Sequence, residues 1–240
     1  MEELAYDEFW TNDTRTGSGF VILAEAARAT ERISLGIGVV GLSERDASTI
    51  VGEVERLALP LDRLVLGIGS GSSSSVELVR EGATALRRSL PDLRLAIAAV
   101  GPRMCHLAGE LADIVLLNWN TPERVAWSRD RVAEGAVAVG RRPPTVAAYV
   151  RVAIGPDAEK RLAREAENYK KGSAAYRRAF EEQRIDLSAI GIATEPADVA
   201  APLRRYREVL DTTIARGLPA TQDVDAWMEI AEAAAPTSSG

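Results

Sequence analysis

The sequence is poor in the residues that form disulfides and transition-metal sites. Its 240 residues include one cysteine, Cys105, and one histidine, His106. No disulfide can form within the chain, and no cluster of cysteine and histidine ligands can hold a metal ion. These absences favour a cytoplasmic protein, and we expect no bound metal.

Long apolar runs and an excess of positive charge are also missing. No stretch approaches the roughly 20 apolar residues of a membrane helix, and the acidic start Met1-Glu2-Glu3 is unlike a signal peptide. A net charge of -6, with scattered Lys and Arg, argues against nucleic acid or a membrane surface as partner. We therefore expect one domain over residues 1–234, a frayed tail at 235–240 and a small-molecule substrate.

Three short apolar runs that contain or end in glycine recur about thirty residues apart, at 35–41, 66–71 and 95–101. The spacing matches one strand, one helix and two loops. Further strand-like and helical segments extend the alternation to about seven strands, which predicts an α/β fold with a parallel sheet. We favour a TIM-type (β/α)8 barrel, compact or incomplete, with its first strand apparently missing, over a doubly wound open sheet.

Large and small residues alternate within these runs. If the runs are strands, Leu35, Ile37 and Val39 face one side, and Gly36 and Gly38 face the other. The large face should lie under helices. The small face should leave space near the mouth of the barrel for something flat and phosphorylated.

Several residues at predicted strand ends are candidates for binding. Free N–H groups of Val100, Gly101 and Arg103 at a helix start would form a phosphate cradle, although an ordinary strand-to-helix turn fits the spacing too. Gly69 and Ser70 either contact a ligand or begin a flexible serine run. Asn118 ends another strand and is a binding candidate. Asp13 is a weak catalytic candidate at the end of the first strand, with helix capping or a position in solvent as its alternatives.

Other chemistry-bearing residues are expected to be structural. Cys105 and His106 are adjacent in one helix, where neighbouring side chains diverge by about 100°. Trp119 is expected to lie half-buried at the rim of the barrel, although stacking on a ring system is the alternative. Trp10 and Trp127 are expected to contribute to packing.

Segments 26–39, 63–71 and 101–113 resemble, in order, the luciferase-like monooxygenase family. The resemblance covers about residues 5–155. It implies a TIM-type barrel, commonly a homodimer, that uses FMN or coenzyme F420. It also implies a non-proline cis peptide bond at Gly38-Val39 beneath the cofactor ring. The cofactor phosphate would match Ala99, Val100 and Gly101.

The sequence departs from the family at several positions. F420-using relatives often have histidine where Thr14 follows Asp13, and many relatives have an acidic residue in place of Ser72. A long insertion after the glycine-rich strand is reduced to the serine run.

From the resemblance we expect a flavin- or F420-dependent oxidoreductase or monooxygenase. The alternatives are a non-catalytic flavin-binding or scaffold protein and, last, another barrel enzyme such as a phosphosugar lyase or isomerase.

Overall fold

The fold is an eight-stranded parallel sheet that curls into a nearly closed barrel with helices around it. The computed structural model describes residues 1–14, 17–183 and 190–236. The strands follow one another around the barrel in chain order from β1 to β7, and β8 also pairs with β6. They are β1 Glu8–Thr11, β2 Ser34–Gly41, β3 Leu64–Gly69, β4 Arg94–Ala98, β5 Ile114–Asn118, β6 Thr145–Ile154, β7 Ile192–Thr194 and β8 Thr212–Gly217.

The helices alternate with these strands, as the thirty-residue spacing predicted. They are α1 Gly19–Ala29, α2 Ala47–Arg56, α3 Val76–Ser89, α4 Pro102–Leu111, α5 Pro122–Ala138, α6 Ala158–Gly172, α7 Ala174–Gln183, α8 Ala200–Arg207 and α9 Val224–Ala233. Of the predicted tail at 235–240, residues 237–240 lie outside the described residues.

Local sequence signals explain several helix boundaries. The Asp46 side chain accepts a hydrogen bond from the N–H of Thr49 at 2.8 Å, so it caps α2. Thr121 caps α5 in the same way, with Pro122 at the first helical position. Helices α6 and α7 are separated at Ser173, which is extended between them.

The barrel is incomplete at the seam between β1 and β8. Within the described chain β1 pairs with β2 alone and β8 with β6 alone, so no ladder joins them. A cavity of about 540 Å³ lies in this seam, lined by both strands and by α8 and α9. The short strand β7, which pairs with the carboxyl end of β6, was absent from the sequence prediction.

The predicted alternation of large and small residues is confirmed on β2, β3 and β4. Leu35, Ile37 and Leu66 are fully buried in the core between the sheet and the helices. Gly36 and Gly38 face the barrel interior. A Cβ atom on Gly36 would overlap the ring of Trp10, and one on Gly38 would overlap the hydroxyl of Tyr149. Two aromatic side chains therefore occupy the space that these glycines leave.

The prediction for Val39 was wrong. It was expected on the helix side with Leu35 and Ile37, but it packs with the residues inside the barrel. The register between β2 and β3 shifts between Ile37 and Val40. This irregularity breaks the period of two and turns Val39 to the inner face.

Among the described residues, no helix is both long enough and apolar enough to span a bilayer.

Candidate active site at the mouth of the barrel

The start of α4 offers unpaired N–H groups at the mouth of the barrel. Gly101 is the N-cap and Pro102 the first helical residue. No described residue accepts a hydrogen bond from the N–H of Val100, Gly101 or Arg103, whereas Ala99 donates to the carbonyl of Leu116 at 3.1 Å. A Cβ atom on Gly101 would meet nothing within 4 Å. The predicted cradle is thus open, but the Ala99 N–H is already used by the sheet.

The Gly38-Val39 peptide bond is cis, as the family resemblance implied. The Val39 side chain then lies over the glycines of β3. A Cβ atom on Gly67 would lie 3.2 Å from Val39 Cγ1, and one on Gly69 would lie 3.1 Å from Cγ2 and 3.6 Å from the Ala98 Cβ atom. Val39, Gly67, Gly69 and Ala98 therefore form a wall of small groups beside the start of α4.

The serine run after β3 forms an ordered turn. Residues Gly71–Ser73 make one turn of 3₁₀ helix, and the Ser73 hydroxyl donates to the carbonyl of Ser70 at 2.9 Å. The N–H of Ser72 donates to Ser43 Oγ at 3.0 Å and to Glu44 Oε1 at 3.2 Å. The loop after β2 thus brings a carboxylate beside Ser72, the position at which this chain departs from the acidic residue of many relatives. The sequence analysis did not predict this contact.

Asp13 is held by two donors at the start of α1. Its Oδ1 accepts from the N–H of Gly19 at 3.0 Å, and its Oδ2 lies 2.9 Å from Arg45 Nε. The carboxylate side chain is 8% exposed. These contacts favour the structural alternative for Asp13, because they tie the carboxylate to a helix start and an arginine.

Asn118 has both ends of its amide engaged. Its Nδ2 donates to the Tyr176 hydroxyl at 2.7 Å, and its Oδ1 accepts from Arg151 Nη1. Burial raises the pKa of Tyr176 to about 12, so this hydroxyl keeps its proton at neutral pH. Asn118 therefore links β5 and β6 to α7 above the barrel mouth.

Trp119 lies deeper than the sequence predicted. It was expected to be half-buried at the rim, yet it is 1% exposed. Tyr169 and Phe180 pack edge-on against its ring at 5.6 and 5.9 Å between centroids. Helices α6 and α7 bring these partners, and this long-range contact is what buries the ring.

Cys105 is buried in the core, and the partly exposed His106 pairs with a carboxylate of its own helix. The Cys105 thiol is fully buried, and burial raises its pKa to about 11, which keeps it protonated and unreactive near neutral pH. His106 Nδ1 lies 3.0 Å from Glu110 Oε1, one helical turn away. In the described ranges, no group of three or more His, Cys, Asp or Glu residues converges to hold a metal ion.

Three residues of the inner face were missed by the sequence analysis: Tyr149, Arg151 and Arg216. Tyr149 donates a hydrogen bond to the carbonyl of Gly38 at 3.2 Å, and burial raises the pKa of its hydroxyl. Arg151 is 1% exposed. An arginine inside the apolar strand 145–154 was the available signal, because such a charge is rarely buried without a reason.

These inner-face residues surround a barrel mouth that has open backbone donors and a wall of small residues. A family model described as luciferase-like monooxygenase matches residues 1–94 and 77–235. The chain belongs to the luciferase-like monooxygenase family. The match reaches well beyond the region in which the sequence segments were recognised, and it covers the second half of the barrel.

A curated protein is similar in sequence to this chain. The 5,10-methylenetetrahydromethanopterin reductase of Methanolobus tindarius is 26% identical over an alignment of 197 positions, and the alignment covers 66% of this chain. The chain spans 60% of the length of that relative.

Solved structures share the fold of this luciferase-like protein. A coenzyme F420-dependent tetrahydromethanopterin reductase from Methanopyrus kandleri superposes with a TM-score of 0.70 at 19% identity, over 96% of this chain and 90% of the other. The oxygenating constituent of 3,6-diketocamphane monooxygenase from Pseudomonas putida, solved with FMN, gives 0.69 at 13% identity, over 98% and 90%. At these identities the likeness extends to the fold.

Proposed function

We propose that this luciferase-like protein is an oxidoreductase or monooxygenase that binds FMN or coenzyme F420 at the barrel mouth. The observation that carries the proposal is the start of α4. Its unpaired N–H groups at Val100 and Gly101 stand beside open space, where an anion gains from hydrogen bonds and the helix dipole. Both cofactors combine a phosphate with a flat ring.

The residues present fit such a cofactor. Val100 and Gly101 would hold the phosphate, with Ala99 next to them in the sheet. Gly38, Val39, Gly69 and Ser70 would lie along the ring, above the point where the Tyr149 hydroxyl fills the space over Gly38. Asn118 stands near the same mouth, although its amide is engaged by Arg151 and Tyr176. The larger set of proposed contacts is Gly38, Val39, Gly69, Ser70, Ala99, Val100, Gly101 and Asn118.

The protein's part in the reaction would be to bind, orient and shield. The cofactor, when bound, supplies hydride transfer or oxygen chemistry. The Val39 side chain, Tyr149 and Trp10 exclude water from the barrel interior below the mouth. Asp13 stays the weak candidate for a catalytic group, because Arg45 and the start of α1 already hold its carboxylate.

Titration with oxidised and reduced FMN and F420 tests this proposal. We expect one of the two cofactors to bind with a Kd in the micromolar range or below. Substitution Gly101→Leu should weaken binding at least tenfold, because its side chain fills the space beside the unpaired N–H groups. No detectable binding of either cofactor would contradict the proposal.

Turnover separates an enzyme from the alternative, a non-catalytic cofactor-binding or scaffold protein. The bound cofactor should be oxidised or reduced with at least one member of a panel of ketones, alcohols and pterins. Binding without turnover across the panel would favour the alternative, which Thr14 and the engaged Asp13 support. The homodimer stays a prediction, and light scattering of the purified protein would test it.

A further inference from the structure

Two arginines stand side by side on the inner face of the sheet. Arg151 of β6 and Arg216 of β8 are register partners in the parallel ladder. Two residues earlier in each strand, Tyr149 and Ile214 belong to the cluster inside the barrel. Side chains two apart share a face, so both arginines point inward near the carboxyl ends of their strands. Like charges in this arrangement repel each other.

The guanidinium of Arg151 is buried and only partly satisfied. It stacks over the Trp119 ring at 4.2 Å and lies 5.0 Å from the Tyr169 centroid. Its Nη1 donates to Asn118, whereas Nε and Nη2 have no hydrogen-bond partner within the described chain. Burial lowers the pKa of this group, which reports the cost of its charge in this position.

Arg216, like Arg151, has few hydrogen-bond and ion-pair partners among the described residues. Its Nη2 lies 3.6 Å from Glu165 Oε1, a long ion pair, and its Nε is buried without a partner among the described residues. Its guanidinium lies 5.9 Å from the Tyr149 ring. Glu165 is the one carboxylate that the described ion pairs bring to the two cations. Among the described residues, three buried guanidinium nitrogens of the two arginines thus have no acceptor.

The seam cavity reaches Arg216, the register partner of Arg151. Arg216 lines the cavity of about 540 Å³ between β1 and β8, together with Trp10 and Tyr149. The volume is typical of small-molecule sites, which join apolar and aromatic walls to a few polar groups. A ligand in this cavity would lie against Arg216, Trp10 and Tyr149. The acidic residues Asp7, Glu8 and Asp211 also line the cavity.

We propose that Arg151 and Arg216 form an oxyanion site that binds the carboxylate or phosphate group of a small molecule entering through the seam cavity. Guanidinium groups suit both ions, because their planar donors match pairs of oxygens. The bound anion would supply the acceptors and the negative charge that the pair lacks. That this molecule is the substrate rests on the proposed function, but oxyanion binding itself does not.

Thermal unfolding with inorganic phosphate and with oxalate tests the site. At ionic strength matched with sodium chloride, we expect one of them to raise the wild-type Tm saturably, by about 5 °C at 100 times its Kd. Arg216→Gln should abolish the rise. Arg56→Gln is the matched control, because it removes the same charge from an exposed pair on α2 and should keep the rise.

Arg151→Met separates binding from a structural role. It should abolish the rise and, without anion, melt at the wild-type temperature or above, because it removes a buried and underpartnered cation. An arginine kept only for packing would instead lower the Tm. No rise in the wild type, or a rise that survives in Arg216→Gln or Arg151→Met, would overturn the proposal.

The two probes also distinguish the ligand's source. A larger response to phosphate indicates a phosphate ester, and a larger response to oxalate indicates a carboxylate. Cofactor titration keeps this result apart from the proposed function. Cofactor binding without an oxyanion response would defeat only the arginine site, and the reverse would defeat only the cofactor proposal. A phosphate response lost in Gly101→Leu but kept in Arg216→Gln would assign the ion to α4 and overturn the arginine site.

Discussion

The two faces of the barrel strands carry different kinds of residue. The outer face of β2, β3 and β4 is aliphatic, and Leu35, Ile37 and Leu66 are fully buried against helices. The inner face carries glycine and alanine on these strands and Tyr149, Arg151 and Arg216 on β6 and β8. Outer-face residues differ little in chemistry, because they pack against helices and only apolar side chains suit that position. On the inner face, the small residues of one wall accommodate aromatic side chains, and Trp10 and Tyr149 fill the space over Gly36 and Gly38.

Truncation of the outer face should have the largest effect on stability. Leu66→Ala leaves a cavity in the core between β3 and the helices, so we expect the free energy of unfolding to fall by about 2–5 kcal/mol. Urea unfolding measures the loss. Cofactor affinity of the remaining folded protein should stay within about twofold of wild type. A tenfold loss would contradict the claim that outer-face residues affect stability but not cofactor binding.

High pH should weaken the same outer layer through Cys105. Its pKa is raised from 9.0 to about 11 by burial, so folding favours the protonated thiol. The contribution of the buried thiol to the free energy of unfolding is fully present below pH 9. It is lost as the pH rises from 9 towards 11, by about 3 kcal/mol for two pKa units.

Urea unfolding at several pH values measures this loss, with Cys105→Ala as the control. Buried tyrosines add their own loss above pH 10, since the pKa of Tyr6 is raised from 10.0 to about 12. The difference between wild type and Cys105→Ala from pH 9 to pH 10 therefore isolates the thiol. Parallel curves over that interval would contradict its burial.

The inner glycines should be sensitive for a different reason. Gly36→Ala places a methyl group against the Trp10 ring, and we expect a loss of about 2 kcal/mol from overpacking. In the Trp10→Leu background the same change should cost less than half as much, because the clash is gone. Urea unfolding measures both losses. Equal losses of stability in the two backgrounds would contradict a clash between a methyl group on Gly36 and the Trp10 ring.

The smallest effect is expected for a single inner hydrogen bond. Tyr149→Phe removes the donor to the Gly38 carbonyl and should lower stability by about 1 kcal/mol. Tyr6→Phe, which removes a 2.7 Å bond to the Ala231 carbonyl, is the matched control. We expect similar stability losses, but only the Tyr149 variant should also weaken cofactor binding, since Gly38 lies at the proposed ring site.

Much of the fold could be predicted because its signals are local. Alternation along β2, β3 and β4, the Asp46 cap and the break near Gly172 each depend on neighbouring residues alone. Strand β7 has three residues, too few to establish a pattern. The side on which Val39 lies was mispredicted, because the irregularity in β2 breaks the period of two that the prediction used.

The candidate site was only partly predictable. The start of α4 follows from glycine and proline at a strand end, so Gly101 could be recognised from the sequence. The pairing of Arg151 with Arg216 depends on a ladder between strands more than sixty residues apart. The burial of Trp119 depends on α6 and α7 folding over it. Neither contact can be predicted from a local sequence pattern.

The most direct test of the central claim compares cofactor binding to the wild type with binding to Gly101→Leu and Leu66→Ala, by calorimetry with FMN and F420. The account predicts that wild type binds one cofactor, that Gly101→Leu loses at least tenfold in affinity with its Tm nearly unchanged, and that Leu66→Ala loses stability with its affinity retained. Wild-type affinity in Gly101→Leu, or no binding to any of the three proteins, would contradict it.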